Sequence, residues 1–327
     1  MPNIISIDVG SGFTKATNSL SKEDAIFFAS VVTPFPSEDV FGLDENSPYI
    51  KFDNKKFLTG ELAKHFSKPS KRTDTTNENW HGEDGWFALF YQAIASFYDP
   101  EDINGTTLNV VTGIPQKLFS DKKAMLLRLL LKEGGHQFIS NEKEYDFNIN
   151  ATVIPQAAGA LIFNSYTDNS LIEEMIGVID VGTYTTGLSV IDSGFPVSHK
   201  STGENIGMSD VYTSLEKILI KKYAFTLDLT KYPKIVKDKT AFIQGKKTSI
   251  ENEIKEAVSL CSDAILKKIE STWGNGKDMQ IFITGGGASH FYEDIKNQIP
   301  HLKMSLSDDT FFDVCLGMYA YQESRMA

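Results

Sequence analysis

Short apolar runs alternate along the chain with segments of helical period, so it reads as interleaved strands and helices. Asn3–Asp8 is β-rich and ends in a glycine turn, and Phe13–Asn18 resumes after four residues, which predicts a hairpin. Ile26–Val32 is apolar almost throughout and predicts a strand buried on both faces. Thr107–Thr112 predicts another strand, closed by Gly113-Ile114-Pro115. Trp86, Phe90, Ile94 and Phe97 recur at helical spacing, and Asp99-Pro100 stops that segment. Ser120 is placed to cap a helix carrying Met125, Leu126, Leu129 and Leu130, with Gly134 just beyond its end. Thr248 and Glu251 have the spacing of a capping box. It opens a helix with the stripe Ile250, Ile254, Val258, Cys261, Ile265 and Ile269, followed by Trp273-Gly274. Lys64–Gly82 is polar, holds Pro69 and has no apolar period, so it reads as a surface excursion whose lysines and Arg72 face solvent or a partner.

A long-range duplication organises these elements. Ile4–Lys15 reads IISIDVGSGFTK and Gly177–Leu188 reads GVIDVGTYTTGL, with their aspartates 172 residues apart. Both are a strand, an aspartate, an apolar residue, a glycine, a hydroxyl residue, a short turn and a second strand. The repetition predicts two α/β domains of related build, which agrees with a length of 327 residues at roughly 150 per domain.

Composition narrows the class. An apolar fraction of 41% without low-complexity tracts excludes general disorder. No apolar run approaches the ~20 residues of a membrane span, and the N-terminus has no signal-peptide pattern. Cys261 and Cys315 are the two cysteines, which excludes a disulfide framework and predicts small core residues in a reducing cytoplasm. A net charge of −11 argues against a broad nucleic-acid surface. The six histidines, among them His65, His81, His136 and His290, show no metal-ligand spacing, and neither a nucleophile elbow nor a Walker-type loop occurs.

The candidate chemistry lies at the turns. Asp8 ends an apolar strand, Gly10 and Gly12 expose backbone N–H groups as an anion nest, Ser11 adds a hydroxyl, and Lys15 adds a positive charge. An aspartate among phosphate donors implies an intervening Mg²⁺, held partly through water. Asp180, Gly182, Thr183, Tyr184 and Thr185 repeat that arrangement. A plain glycine hairpin accounts for either turn alone; the pair points to phosphate gripped from two sides. A third element, MQIFITGGGAS over Met279–Ser289, runs a strand through Gly285, Gly286 and Gly287 into a helix, where a flat ligand can lie against bare backbone.

The order DVGSGFTK, DVGTYTTG and FITGGGA resembles the actin/Hsp70/sugar-kinase ATPase superfamily over nearly the whole chain, and within it the bacterial plasmid-segregating actin-like proteins (ParM and relatives). Hsp70 proper is disfavoured, because the chain ends soon after the nucleotide domain. The resemblance implies an α/β fold of two related ribonuclease H-like, actin-like domains with a nucleotide cleft between them. Domain I is expected over 1–165 plus about 306–327, with a small peripheral insertion over about 26–105. Domain II is expected over 166–305, with a helical insertion over about 205–275.

Further roles come from the resemblance. Ile154–Ala160 (IPQAAGA) resembles the first inter-domain connecting helix, where Gln156 corresponds to the Gln or Glu that orients the attacking water; segregation ATPases often carry Glu there. Asn205–Leu219 resembles the helix after the second hairpin's strands. Lys255 and Glu256 fall where actins set a Lys-Glu pair against adenine and ribose, and Phe13 lies in the first phosphate turn; His290, read from its place just after the triple glycine rather than from the resemblance, either borders the base or is simply part of the first helical turn. Asp313–Tyr321 resembles the second connecting helix, with Gly317 permitting close helix approach.

Taken together these features imply catalysis by Gln156, Asp8 and Asp180, with ATP or GTP and Mg²⁺ as cofactors. The expected function is an ATPase that assembles head-to-tail into filaments and drives plasmid or DNA segregation in the cytoplasm. Its expected partners are further copies of itself and a DNA-binding adaptor at the filament end, without direct contact to nucleic acid or membrane. The alternatives are a sugar-type small-molecule kinase and a nucleotide-regulated adaptor without significant hydrolysis.

Overall fold

The computed structural model describes residues 3–37, 40–44, 47–167, 175–193, 195–228, 231–274, 276–307 and 309–326. The chain divides into two compact units, Met1–Asn169 with Phe312–Ala327, and Ser170–Phe311. Helices α1 (Gly60–Phe66), α2 (Asp84–Ala95), α3 (Pro100–Ile103), α4 (Phe119–Leu130) and α5 (Gln156–Thr167) lie in the first unit. The second holds α6 (Met208–Tyr223), α7 (Tyr232–Asp238), α8 (Glu251–Trp273) and α9 (Ala288–Gln298), and α10 (Asp313–Met326) returns to the first. Among the described residues no helix is long and apolar enough to cross a membrane.

The first unit is built on one mixed sheet. Its strands are β1 (Ile4–Val9), β2 (Phe13–Thr17), β3 (Ile26–Ala29), β4 (Val32–Pro34), β5 (Ile50–Phe52), β6 (Lys55–Thr59), β7 (Thr107–Ile114), β8 (His136–Ser140) and β9 (Lys143–Pro155). They follow the order β3-β2-β1-β7-β9-β8-β5-β6-β4, with β1, β7 and β9 parallel. The period of two along β1 assigns its side chains to two layers. Ile5, Ile7 and Val9 enter an aromatic-rich core with Trp86, Leu89 and Phe90 of α2. Ser6 faces the other way, where its hydroxyl donates to the Cys315 carbonyl of α10 at 2.7 Å. On that face α5 crosses α10 at two glycines. A Cβ on Gly159 would stand 2.5 Å from the Val314 carbonyl oxygen, and one on Gly317 would overlap the Gly159 carbonyl.

The second unit repeats the plan. Strands β10 (Met175–Val181), β11 (Thr186–Asp192), β12 (Phe195–Pro196), β13 (Thr202–Glu204), β16 (Gln280–Thr284) and β17 (Lys303–Leu306) form its main sheet, and β14 (Thr240–Ile243) with β15 (Lys246–Ser249) make a separate ribbon. The order β12-β11-β10-β16-β17 mirrors β3-β2-β1-β7-β9, an antiparallel hairpin flanked by two parallel strands. The predicted duplication is therefore a duplication of topology. The predicted stripe of α8 is buried throughout, from Ile250 at 0% exposure to Ile269 at 2%, and packs with Val211, Leu215 and Leu219 of α6. Cys261 and Cys315 are both buried free thiols, and burial pushes the Cys315 thiol up to about 12.

Several local expectations are overturned. Ile26–Val32 is two strands rather than one: β3 is a sheet edge with Phe27 55% exposed, and Ser30 breaks the run by bonding the Thr14 hydroxyl. Ser120 does not cap α4, because the 3₁₀ turn Gln116–Leu118 leads directly into Phe119; the helix also ends at Leu130, well before Gly134. Thr248 belongs to β15 and donates to the Lys246 carbonyl of its own strand, so no capping box opens α8. α2 ends at Ala95, short of Phe97, and Asp99 opens α3 through its own capping box. The polar stretch Lys64–Gly82 holds a 3₁₀ turn and the buried side chains of Trp80 and His81. One indole anchors a segment whose average composition hides it.

His136 is fully buried. Its Nε2 donates to the Leu130 carbonyl at 2.8 Å, which leaves Nδ1 to accept from the Tyr91 hydroxyl at 2.9 Å. Burial, with Lys132 adding to it, lowers the ring to about 4, and burial lowers His81 to about 4 as well. Below pH 6.5 the unfolded chain therefore binds protons that the folded rings refuse. Stability is fully present above pH 6.5 and should fall as pH drops toward 4, by about 2 kcal/mol per histidine at pH 5. Urea unfolding across that range tests this, and a flat profile contradicts it. Gly317→Ala should cost about 3 kcal/mol by forcing α5 and α10 apart; a wild-type urea midpoint would refute the close crossing.

Candidate functional site

In both units the chemistry gathers at the carboxyl ends of parallel strands, where open α/β sheets place their ligands. Within the first unit these ends belong to β1, β7 and β9. Asp8, on the same face of β1 as Ser6, is 4% exposed. The hairpin register sets Lys15 directly opposite it, with Nζ 3.5 Å from Oδ2. Gln156 begins α5 as β9 ends, and its Nε2 donates to Asp8 Oδ1 at 2.7 Å. A carboxylate only accepts, so the amide presents its nitrogen to Asp8 and keeps Oε1 as an acceptor. Three of the residues singled out in the sequence thus meet at one point.

The turn beyond Asp8 is tight. A Cβ on Gly10 would lie 2.8 Å from the Phe13 carbonyl oxygen, so glycine is required by close approach. The Ser11 carbonyl accepts from the Thr75 hydroxyl at 2.8 Å, and the Gly12 carbonyl accepts from Ser30 N at 3.0 Å. With those carbonyls engaged, the turn is braced from behind by its own unit. Phe13 is 37% exposed and meets Phe27 edge-on.

Within the second unit Asp180 stands beside Thr284 in the register of β10 and β16. Gly285 follows with φ +90°, and a Cβ there would collide with the Asp180 carboxylate and the Val181 carbonyl. Gly287 N donates to the Val181 carbonyl at 2.9 Å, while Gly286 is exposed. The triple glycine therefore packs against the second acidic turn. That turn, Gly182 to Thr185, closes with Gly182 N donating to the Thr185 carbonyl at 2.8 Å, and its Gly182, Thr183, Tyr184 and Thr185 are half-buried. Its brace is the start of α6: Met208 N donates to the Gly182 carbonyl at 3.1 Å and Ser209 N to the Thr183 carbonyl at 2.8 Å.

The remaining predicted residues stand on helices. Lys255 and Glu256 are exposed on the second turn of α8. His290, on α9, is half-buried; burial lowers its ring from the usual histidine value, and the Lys239 charge adds to that. Lys239 also pairs with Glu251 at the head of α8 at 3.1 Å.

Gly113, Gly207 and Thr75 were not singled out as site residues in the sequence. A Cβ on Gly113 would press to 2.7 Å from Gln156 Cγ, so this glycine in β7 makes room for the reach to Asp8. A Cβ on Gly207 would lie 2.6 Å from the Thr183 carbonyl oxygen. For the two glycines, a place near a strand end or just before a helix is the local signal, and it does not say which residue comes close.

The donor set suits a hard cation beside phosphate. Among the described residues no three His, Cys, Asp or Glu side chains gather as a cage. The buried Asp8 carboxylate offers hard oxygen in its unit's site, which fits Mg²⁺, an ion that keeps several waters and binds through one or two carboxylates.

Two family models match the chain in tandem. One, described as the N-terminal domain of actin-like proteins, covers residues 6–159; the other, an archaeal actin homologue MreB-like C-terminal model, covers residues 178–297. The chain belongs to the actin-like superfamily, with a two-domain actin-like α/β fold. A subunit of a 15-stranded ParM filament from Clostridium botulinum is similar at 23% identity and TM-score 0.80, covering 99% of this chain and 100% of that one. A non-polymerisable quadruple mutant of pCBH ParM is similar at 24% identity and TM-score 0.77, covering 98% and 99%. The archaeal actin homologue Ta0583 in complex with ADP is similar at 19% identity and TM-score 0.76, covering 98% and 99%. No curated protein matches the sequence significantly.

A double-mutant cycle with Asp8→Ala and Gln156→Ala should return a coupling of about 2 kcal/mol, as a hydrogen bond to a charged, buried group does. Additive losses in urea midpoint would show that the two side chains do not act together.

Proposed function

We propose that this chain is a nucleotide-hydrolysing, filament-forming actin-like protein that binds ATP or GTP with Mg²⁺. The observation that supports it most is the repeated site geometry. Each unit ends the leading strand of its hairpin in an aspartate, Asp8 or Asp180, at the carboxyl edge of parallel strands. After each comes a turn whose carbonyls are bonded by its own unit.

In this reading the two turns clasp the phosphates of one nucleotide, and domain I and domain II follow the boundaries expected from sequence. Gly10, Ser11, Gly12, Phe13 and Lys15 serve the phosphates on one side, and Gly182, Thr183, Tyr184 and Thr185 on the other. Asp8 and Asp180 would hold Mg²⁺, and the ion would supply charge neutralisation at the transferred phosphate. Lys15, held against Asp8, balances the remaining anionic charge. Gln156 donates to Asp8 through Nε2, which fixes its amide plane and leaves Oε1 to accept from an attacking water. An amide is too weak a base to take the water's proton, so its contribution is orientation of the attacking water. Gly285, Gly286 and Gly287 form the floor for the nucleoside, with Lys255, Glu256 and His290 at its border.

Self-assembly is supported by the filament named for the similar C. botulinum ParM, and adenine nucleotide by the ADP complex of the archaeal homologue. The role that follows is plasmid or DNA segregation in the cytoplasm, with DNA reached through an adaptor at the filament end; the acidic chain, at −11, is consistent with leaving DNA contact to the adaptor.

Sedimentation tests the reading. The protein should pellet with Mg-ATP or Mg-GTP and stay soluble with the diphosphate, and phosphate release should accompany assembly. Asp180→Ala should lower that release by about 10²-fold or more while leaving the fold intact. A chain that never pellets over a wide range of concentration and salt defeats the filament, and undiminished hydrolysis by the variant defeats the assigned site.

A further inference from the structure

We propose that two oppositely charged patches, one on each unit, form the contact between successive copies of this chain, an inference that rests on the filament reading and names its interface.

The basic patch surrounds α7 and the β14–β15 ribbon. Residues 231–247 hold six lysines (231, 234, 237, 239, 246 and 247) and one acidic residue, Asp238, a net +5 within a chain of −11. All six lysines are exposed. Lys239 pairs with Glu251, and none of the other five makes an ion pair among the described residues. The ribbon turns Ala241 and Ile243 into the core at 4% and 5% exposure, which forces Phe242 outward at 69%, in register with Lys247. An outward phenylalanine amid unneutralised lysines is costly in isolation and is the usual anchor of a contact surface.

The acidic patch lies in the other unit, at α3 and the β8–β9 turn. Asp99, Glu101, Asp102, Glu142, Glu144 and Asp146 are all exposed, and Lys143 alone offsets them, leaving −5. They form one surface. Asn104 ties its two halves together, donating through Nδ2 to the Glu144 carbonyl at 3.0 Å and accepting from Asp146 N at 2.8 Å. Lys143 pairs with Asp99 across them at 2.5 Å.

Charges of +5 and −5 are matched in size and opposite in sign, and every copy carries both. Because the patches are different surfaces, a bound pair of copies still leaves one patch of each kind unused, so the contact is heterologous and can repeat. A polyanion such as DNA would meet the same lysines, but the field of the whole chain opposes its approach. A second copy presents a local anionic surface of the right magnitude instead.

Reciprocal charge reversal tests this. One variant carries Lys234→Glu, Lys246→Glu and Lys247→Glu; the other carries Glu101→Lys, Glu142→Lys and Glu144→Lys. None of these residues is placed in the nucleotide site. With Mg-ATP the wild type should pellet, and each variant alone should need at least about tenfold more protein to do so. An equimolar mixture of the two should pellet again, because each then presents what the other lacks, and that recovery also shows that both are folded. The assembled fraction should fall as salt rises. Either variant pelleting alone like the wild type overturns the proposal. So does a mixture that stays soluble while both variants melt like the wild type, or a basic-patch variant that still assembles and has lost only binding to a DNA fragment. If the wild type itself fails to pellet, the filament reading falls, and the contact with it.

Discussion

A carboxylate at the end of a buried strand is costly unless a cation or an amide faces it, and Asp8 has both. Lys15 reaches it through hairpin register, and Gln156 reaches it from the end of β9. Much of the first unit serves that meeting. Gly113 omits the side chain that would push Gln156 aside, and Gly159 and Gly317 let α10 lie close enough to α5 for Cys315 to accept from Ser6 in the same layer. Without a fixed amide the oxygen left over on Gln156 would have no defined direction. The direction of that oxygen depends on this one hydrogen bond being held.

The duplication gives the same solution twice with different supports. Both units lead with an antiparallel hairpin and place two parallel strands beside it. The first turn is braced by Thr75 and Ser30, which come from irregular chain and an edge. The second is braced by the opening N–H groups of α6, which a helix leaves unsatisfied at its start. Two ways of occupying turn carbonyls leave the same polar edge available in each unit.

What was legible in the sequence was local. The two hairpins announced themselves because glycine turns and strand alternation are short-range signals, and the stripe of α8 because its period runs unbroken for six positions. Short-range signals also misled. Thr248 and Glu251 have capping spacing, yet Thr248 was already committed to a strand, and Ser120 lost its place to a preceding 3₁₀ turn. Lys64–Gly82 looked like solvated loop because one buried tryptophan hardly changes its average polarity. The approach of Gln156 to Asp8 spans 148 residues and follows from sheet order, which no local pattern encodes; only the resemblance to actin-like proteins pointed to Gln156. The steric roles of Gly113 and Gly207 depend on tertiary neighbours and were invisible for the same reason.

Isothermal titration calorimetry of the intact protein with Mg-ATP and Mg-GTP, beside the Asp8→Ala variant, probes the central claim most directly. The account predicts saturable heat for one nucleotide per wild-type chain with at least one of the two, lost on chelation of Mg²⁺ and weakened at least about tenfold in the variant. Absence of heat with both nucleotides, together with an unchanged melting temperature in their presence, would contradict it.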